Sequence, residues 1–380
     1  MQFFRGIIFL SALTIGYVHA VSATDEIVYK QAKELSSKSL RSDLAYKIIE
    51  SLTTEVGQRQ AGSEAEKRAR DWGVAKFKQL GFENVRVEPF EVDYWQRNLE
   101  QAEIISPFPQ KLIITALGGS VATPANGLTG EIVIFPTLQA LKDAPMEGLE
   151  DKIVFVDEFM TRTQDGSGYG VAVQKRSGAA NEAGKRGAAA ALIRSVGTDH
   201  HRFPHTGQMS YEKGLPKIPI AALSAPDADQ LGRAVLLGKV EVKLVIDVET
   251  KGKRQSGNVI GEIPGHTDEI VIIGGHLDSW DLGTGAVDDG AGIGITVGAA
   301  KLILDMNQKP HRTIRVVMFG AEEVGLVGAR AYAKQHKFEI DKHIVGAESD
   351  FGAGKIWSFE TRFANSKLAM AQEMHKVLEP

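Results

Sequence analysis

The spacing of apolar residues changes character along the chain. Between Thr24 and Leu80 the period is helical: Leu44, Ile48, Ile49 and Leu52 share one face, and Trp72, Ala75 and Leu80 repeat the spacing after Ser63, a residue suited to capping a helix. Gly81 reads as the stop of that second helix, and Val85, Val87, Phe90 and Val92 as a strand. The segment from Gly57 to Ser63 is a turn signal whose one chemically notable side chain is Arg59, and it reads as structural.

From about Gly118 to Glu249 short apolar runs at 130–135, 152–156, 188–193 and 218–223 alternate with Gly and Pro turns, followed by a helical stretch at 225–237 and a strand at 240–245. This predicts a small β-rich α/β domain, residues 118–249, inserted into a larger one made of 24–117 and 250–380. In the larger part, the runs Ile270–Ile273, Ile314–Phe319 and His343–Ala347 alternate with helical segments Ala291–Leu304 and Gly325–Lys337. That alternation predicts an α/β fold with a mostly parallel mixed sheet flanked by helices, whose sites gather at the carboxyl ends of the strands.

Composition narrows the function. Among 380 residues, 44 Lys and Arg face 48 Asp and Glu, for a net charge of −4, and 43% of residues are apolar. Neither a disordered acidic tail nor a basic nucleic-acid binder has that balance. With no cysteine, any metal must sit on His, Asp and Glu. Residues 1–20 carry a single charge, Arg5, an apolar run from Gly6 to Gly16 and the ending Val18-His19-Ala20, the pattern of a cleaved export signal too short to span a bilayer. A secreted or periplasmic protein is therefore expected, with a net charge of −5 after loss of Arg5.

Each buried run of the larger part ends in groups that bind metals: His276-Leu277-Asp278 after the first, Glu322 and Glu323 after the second, Glu348-Ser349-Asp350 after the third, with Asp288 ahead of the helix from Ala291. Carboxylates gathered in one crevice repel one another unless a cation neutralises them. Imidazole and carboxylate donors without sulfur suit Zn²⁺ in an open site, with Mn²⁺ or Co²⁺ as alternatives. Asp278 is placed to accept the second imidazole N–H of His276 and fix its tautomer. Of the neighbours Glu322 and Glu323, one is expected to ligate and the other to take a proton from an activated water.

Four motifs in order, His276-Leu277-Asp278-Ser279-Trp280-Asp281, Gly285-Ala286-Val287-Asp288-Asp289-Gly290-Ala291-Gly292, Phe319-Gly320-Ala321-Glu322-Glu323-Val324-Gly325 and Glu348-Ser349-Asp350, resemble those of the co-catalytic zinc peptidases related to carboxypeptidase Q and aminopeptidase Y. The resemblance implies a zinc exopeptidase-like fold with 118–249 as a protease-associated domain. It also implies His276 and Asp350 on one zinc, Glu323 on the other, Asp288 bridging, Glu322 as general base, and a cis peptide between Asp288 and Asp289. A short peptide or dipeptide substrate and a homodimer follow from it, as does a lysosomal or extracellular site in a eukaryote. The family takes a further histidine for its second zinc from a C-terminal loop. Here His375 is the sole histidine after Asp350, in a helical pattern, so it is not assigned and the C-terminal part of the catalytic domain is expected to be missing.

Blander readings compete with each assignment. Glu322 and Glu323 could be a solvated pair opening a helix, and either Asp288 or Asp289 an N-cap. Trp280 and Asp281 are expected to shape their loop. The run Gly290-Ala291-Gly292-Ile293-Gly294 lacks the order and preceding strand of a dinucleotide turn. His200, His201 and His205 fall in one Pro-containing loop, where a surface role is favoured over metal binding. For the whole protein, an aminopeptidase of the same family or a catalytically impaired binding relative are the alternatives to a dipeptidase of the carboxypeptidase Q kind.

Overall fold

The computed structural model describes residues 23–306 and 308–358, together with 365, 368, 369 and 372; the expected export signal and His375 lie outside the described residues. Residues 1–42 and 355–380 cluster as one unit, whose described helix is Ala23–Ser39. Residues 43–354 form the other, which holds the sheet and the site. No described helix is long and apolar enough to cross a membrane.

The second unit starts with helices Leu44–Glu55 and Glu64–Leu80. Ser63 caps the latter by accepting the Glu66 N–H, and Gly81 ends it in the left-handed conformation at φ 87°. Strands follow in chain order: β1 Glu83–Ser106, β2 Gln110–Leu112, β3 Ile114–Ala116, β4 Leu128–Phe135, β5 Ile153–Val156, β6 Ala190–Arg194, β7 Ile220–Leu223, β8 Glu241–Ile263, β9 Ile270–His276, β10 Thr313–Phe319 and β11 His343–Glu348. Their spatial order is β11-β9-β10-β8-β4-β5-β6-β7-β3, with β1 laid antiparallel along β8. β11, β9 and β10 are mutually parallel, as are β4, β5, β6 and β7.

Two long strands join these parallel sets. Read by periodicity, the strand at 240–245 stops near Val245, because Glu249–Gln255 carries no apolar side chain. In the structure that polar stretch is exposed yet stays extended, since β1 supplies a partner from Trp95↔Thr250 to Glu91↔Gln255. Pairing across a two-stranded ribbon thus overrides the missing apolar signal.

The cores follow the layers. Leu52, Phe77, Val259, Ile293, Val297 and Val316 pack helices Leu44–Glu55, Glu64–Leu80 and Ala291–Leu304 onto the sheet. In the 118–249 region Val154, Ala179, Ala183, Ile193 and Ala222 form a comparable layer under helix Lys175–Lys185. The abundance of glycine has a packing cause where the helix meets the strand ends. A Cβ on Gly292 would lie 1.8 Å from the Ser349 carbonyl oxygen, and one on Gly274 2.2 Å from that of Val317. Gly292→Ala is expected to cost about 1–3 kcal/mol through overpacking, seen as a lower urea midpoint at unchanged slope.

Candidate active site

β9 lies between β10 and β11, so the segments leaving all three open on one edge of the sheet. His276, the last residue of β9, is 1% exposed and pairs in register with Phe319 at the end of β10. Its Nε2 lies 2.9 Å from Asp288 Oδ1, 3.4 Å from Asp350 Oδ1 and 4.0 Å from Glu322 Oε2. The structure therefore brings together residues that the chain separates by as much as 74 positions.

The paired aspartates divide their tasks. The Asp288–Asp289 peptide is cis, as the resemblance implied, and the two side chains diverge. Asp289 turns inward, where Oδ2 accepts the His276 main-chain N–H at 2.9 Å and Oδ1 the Gly292 N–H at 2.9 Å. It clamps the end of β9 to the first turn of helix Ala291–Leu304, as an N-cap does. Asp288 keeps its carboxylate free of such bonds and 65% exposed, facing His276. Glu322 and Glu323 stand in the turn before helix Val327–Gln335, not in its first turn. That turn is entered through Ala321 at φ 55°.

Asp278 departs from its expected role. Its carboxylate is 3.7 Å from His276 Nδ1, whereas its main-chain carbonyl oxygen lies at 2.9 Å and is the acceptor that sets the tautomer. The fully buried carboxylate instead accepts the N–H groups of Glu322 at 2.9 Å and Glu323 at 3.3 Å. Two orphan amides compete for it more effectively than a ring that already has an acceptor, so Asp278 positions the glutamate pair.

Arg59, read from the sequence only as part of a structural turn, reaches into the site. It is 0% exposed, and its guanidinium donates to the carbonyls of Leu277, of Thr284 at 2.7 Å and of Gly285 at 2.8 Å. Burial pulls it down to about 10, against the opposing pull of Asp278, Asp289, Asp288 and Glu323. It holds both ends of the 277–285 loop and sets a fixed positive charge behind the acids. Asp281 of that loop pairs with Arg97 on β1, Nε to Oδ2 at 2.9 Å, and Trp280 lies under the same guanidinium, so both shape the loop.

The electrostatics favour a cation. Burial opposes protonation of His276, yet the bonded carboxylates of Asp288 and Asp350, with Asp278 and Glu323 near them, outweigh it and push the imidazole up to about 12. Burial raises Glu323 to about 9, with Asp288 and Asp278 adding to the effect. Burial also raises Glu322 to about 7, with Asp278, Asp350 and Asp288 adding their repulsion against the pull of His276. Such a cluster keeps its charge when a divalent ion replaces the shared protons. The donor atoms of His276, Asp288 and Glu323 lie within 4.8 Å of one another, as do those of His276, Asp289 and Asp350. With Asp289 already committed to two amides, the donors left to an ion are His276, Asp288, Glu323 and Asp350, a nitrogen and oxygen set that fits zinc.

A cavity of about 710 Å³ opens over this cluster and reaches residues of the 118–249 region, among them Arg176 and His205. His205 and His201 share Asp199, at 2.7 and 3.2 Å, while His200 pairs with Asp229 at 2.8 Å; all three rings are exposed. Asp199 is the member of this group that the histidine count alone did not reveal.

Comparison with known proteins finds relatives over most of the chain. Residues 258–377 match the model of peptidase family M28. Carboxypeptidase Q of Bos taurus is 35% identical over 339 residues, which cover 88% of this chain and 70% of the relative. A peptidase M28 precursor from Shewanella amazonensis is 51% identical with a TM-score of 0.92, over 94% of this chain and 81% of that one. A zinc aminopeptidase from Bacillus subtilis, 23% identical with a TM-score of 0.61 over 81% of this chain and 69% of that one, shares the fold.

Proposed function

Given that the chain belongs to peptidase family M28, we propose that it is a zinc-dependent exopeptidase acting on short peptides, with free dipeptides as its preferred substrates. The observation that carries this reading is the convergence of His276, Asp288 and Asp350 at one strand end with an uncommitted glutamate, Glu322, within 4.0 Å of the imidazole. His276, Asp288, Glu323 and Asp350 would hold the metal. Zinc bound there supplies Lewis-acid polarisation of the scissile carbonyl and makes water acidic enough to lose a proton near neutrality.

The chain's own groups supply the rest. Glu322 accepts the proton of the attacking water at its carboxylate and returns it to the departing amine. Burial raises its affinity for protons, the direction that a base which must also give the proton back requires. Asp278 holds the Glu322 amide, so the carboxylate is aimed by a bond that no substrate has to make. Arg59 and Asp289 fix the two segments that carry Asp288. Export through residues 1–20, a protease-associated role for 118–249 and a homodimer belong to the same reading.

Dialysis against a chelator is expected to abolish hydrolysis of an unblocked dipeptide, and stoichiometric zinc to restore it. Comparing that dipeptide with its amino-acetylated and carboxyl-amidated forms separates the end preferences. An aminopeptidase tolerates the amide and rejects the acetyl group. A zinc-loaded protein that cleaves none of the three is the binding relative, and the proposed activity fails.

A further inference from the structure

Arg176, in the first turn of helix Lys175–Lys185, lines the same cavity as Asp288, Glu323 and Asp350. Among the described residues lining that cavity it is the sole lysine or arginine. Its guanidinium is held without a carboxylate: Nη1 donates to the Tyr169 hydroxyl at 3.1 Å, with the Tyr169 ring 5.8 Å away. Nε is buried and has no hydrogen-bond partner. The half-buried guanidinium thus keeps donor capacity that the chain's own groups do not use, the state in which a charge-assisted bond to an anion gains most.

The backbone also makes room for it. Gly207 sits at φ 152°, and a Cβ there would lie 2.1 Å from Arg176 Nη1 and 2.2 Å from Cζ. The guanidinium thus occupies the volume that any other residue at 207 would fill. A planar fork of donors, partly desolvated and bonded within the chain only to one hydroxyl, is the arrangement that recognises a carboxylate through two parallel bonds. A dipeptide brings one carboxylate, at its free end.

We propose that Arg176 anchors the free α-carboxylate of the substrate's C-terminal residue, with Tyr169 and Gly207 holding its guanidinium in the cavity. This rests on the peptidase reading and deepens it. The 118–249 region then supplies specificity while the strand ends supply chemistry, and the preference for a free carboxyl end follows from one side chain. Arg176 makes its contact away from the reacting atoms, so its loss falls mainly on KM.

The test measures hydrolysis of a dipeptide and of its C-terminal amide by the zinc-loaded full chain, as wild type, Arg176→Met, Arg176→Lys and Gly207→Ala. For the free dipeptide, Arg176→Met is expected to raise KM about 10- to 100-fold, the range of a charge-assisted hydrogen bond, with kcat within a few-fold. The amide should be poor for wild type and no poorer for Arg176→Met. Arg176→Lys should recover part of the preference, and Gly207→Ala should lose it by displacing the guanidinium. Equal losses on both peptides, or no change in KM, overturn the proposal. If Arg176→Met melts early, Arg176→Lys and Gly207→Ala decide on the same criterion. If wild type cleaves neither peptide, the peptidase reading fails separately. Calorimetric binding of the two peptides then decides the role of Arg176: a preference for the acid that Arg176→Met abolishes sustains it, and equal binding refutes it.

Discussion

Replacing Glu322 by Gln is expected to lower kcat for a dipeptide by about a hundred- to ten-thousandfold, the usual contribution of a positioned general base, while the zinc content stays at the wild-type value. The amide keeps the size and the buried contacts of the acid, and the Glu322 N–H still reaches Asp278 at 2.9 Å, so the turn should hold its shape. What disappears is a carboxylate able to take a proton and give it back. KM should move little, because no metal donor and no contact proposed for the substrate's free end has been touched. The check pairs steady-state kinetics with metal analysis of the same sample. A variant that retains full kcat would remove Glu322 from the mechanism, and one that loses zinc would make it a ligand.

The second large effect concerns stability. Arg59→Met is expected to destabilise the fold by about 3–5 kcal/mol, the cost of removing one side of a buried charged network. The substitution leaves the carbonyls of Thr284 and Gly285, together with that of Leu277, without their buried donor, and strips a fixed positive charge from beside Asp278 and Asp289. Methionine fills much of the volume, so a cavity contributes little and the loss reports the charge and the hydrogen bonds. Urea unfolding of zinc-loaded and chelated protein measures it. Similar losses in both forms would place the effect in the loop scaffold. A loss below about 1 kcal/mol would put Arg59 among the ordinary buried polar groups.

The peptidase body was readable where the chain's periodicity and its end signals agree. Helix Ala291–Leu304 falls on its expected bounds, and β9 and β10 each release a polar group after a largely buried run, whereas β11, expected to be buried as well, forms as an edge strand that is half-exposed to exposed along its length. His276, Asp288 and Asp350 could be grouped because chemistry at the ends of parallel strands converges whatever the intervening sequence. The groups that were missed or misassigned have main-chain partners. Arg59 bonds carbonyls more than 200 residues away, and the Asp278 carboxylate takes two amides; neither partner carries a side-chain signature. The β1–β8 ribbon escaped for a related reason, since Glu249–Gln255 owes its extended form to a partner strand and not to its own apolar pattern.

The two bonds of Asp289 have a consequence for how the ion would come and go. They seat the end of β9 and the helix start against each other through main-chain groups alone, and nothing in that seating requires a metal. The mould is cast before the guest arrives, unlike a zinc finger, whose fold is assembled by its ion. Removal of an ion by a chelator is therefore expected to silence hydrolysis while leaving the far-ultraviolet circular dichroism and the urea midpoint close to their starting values.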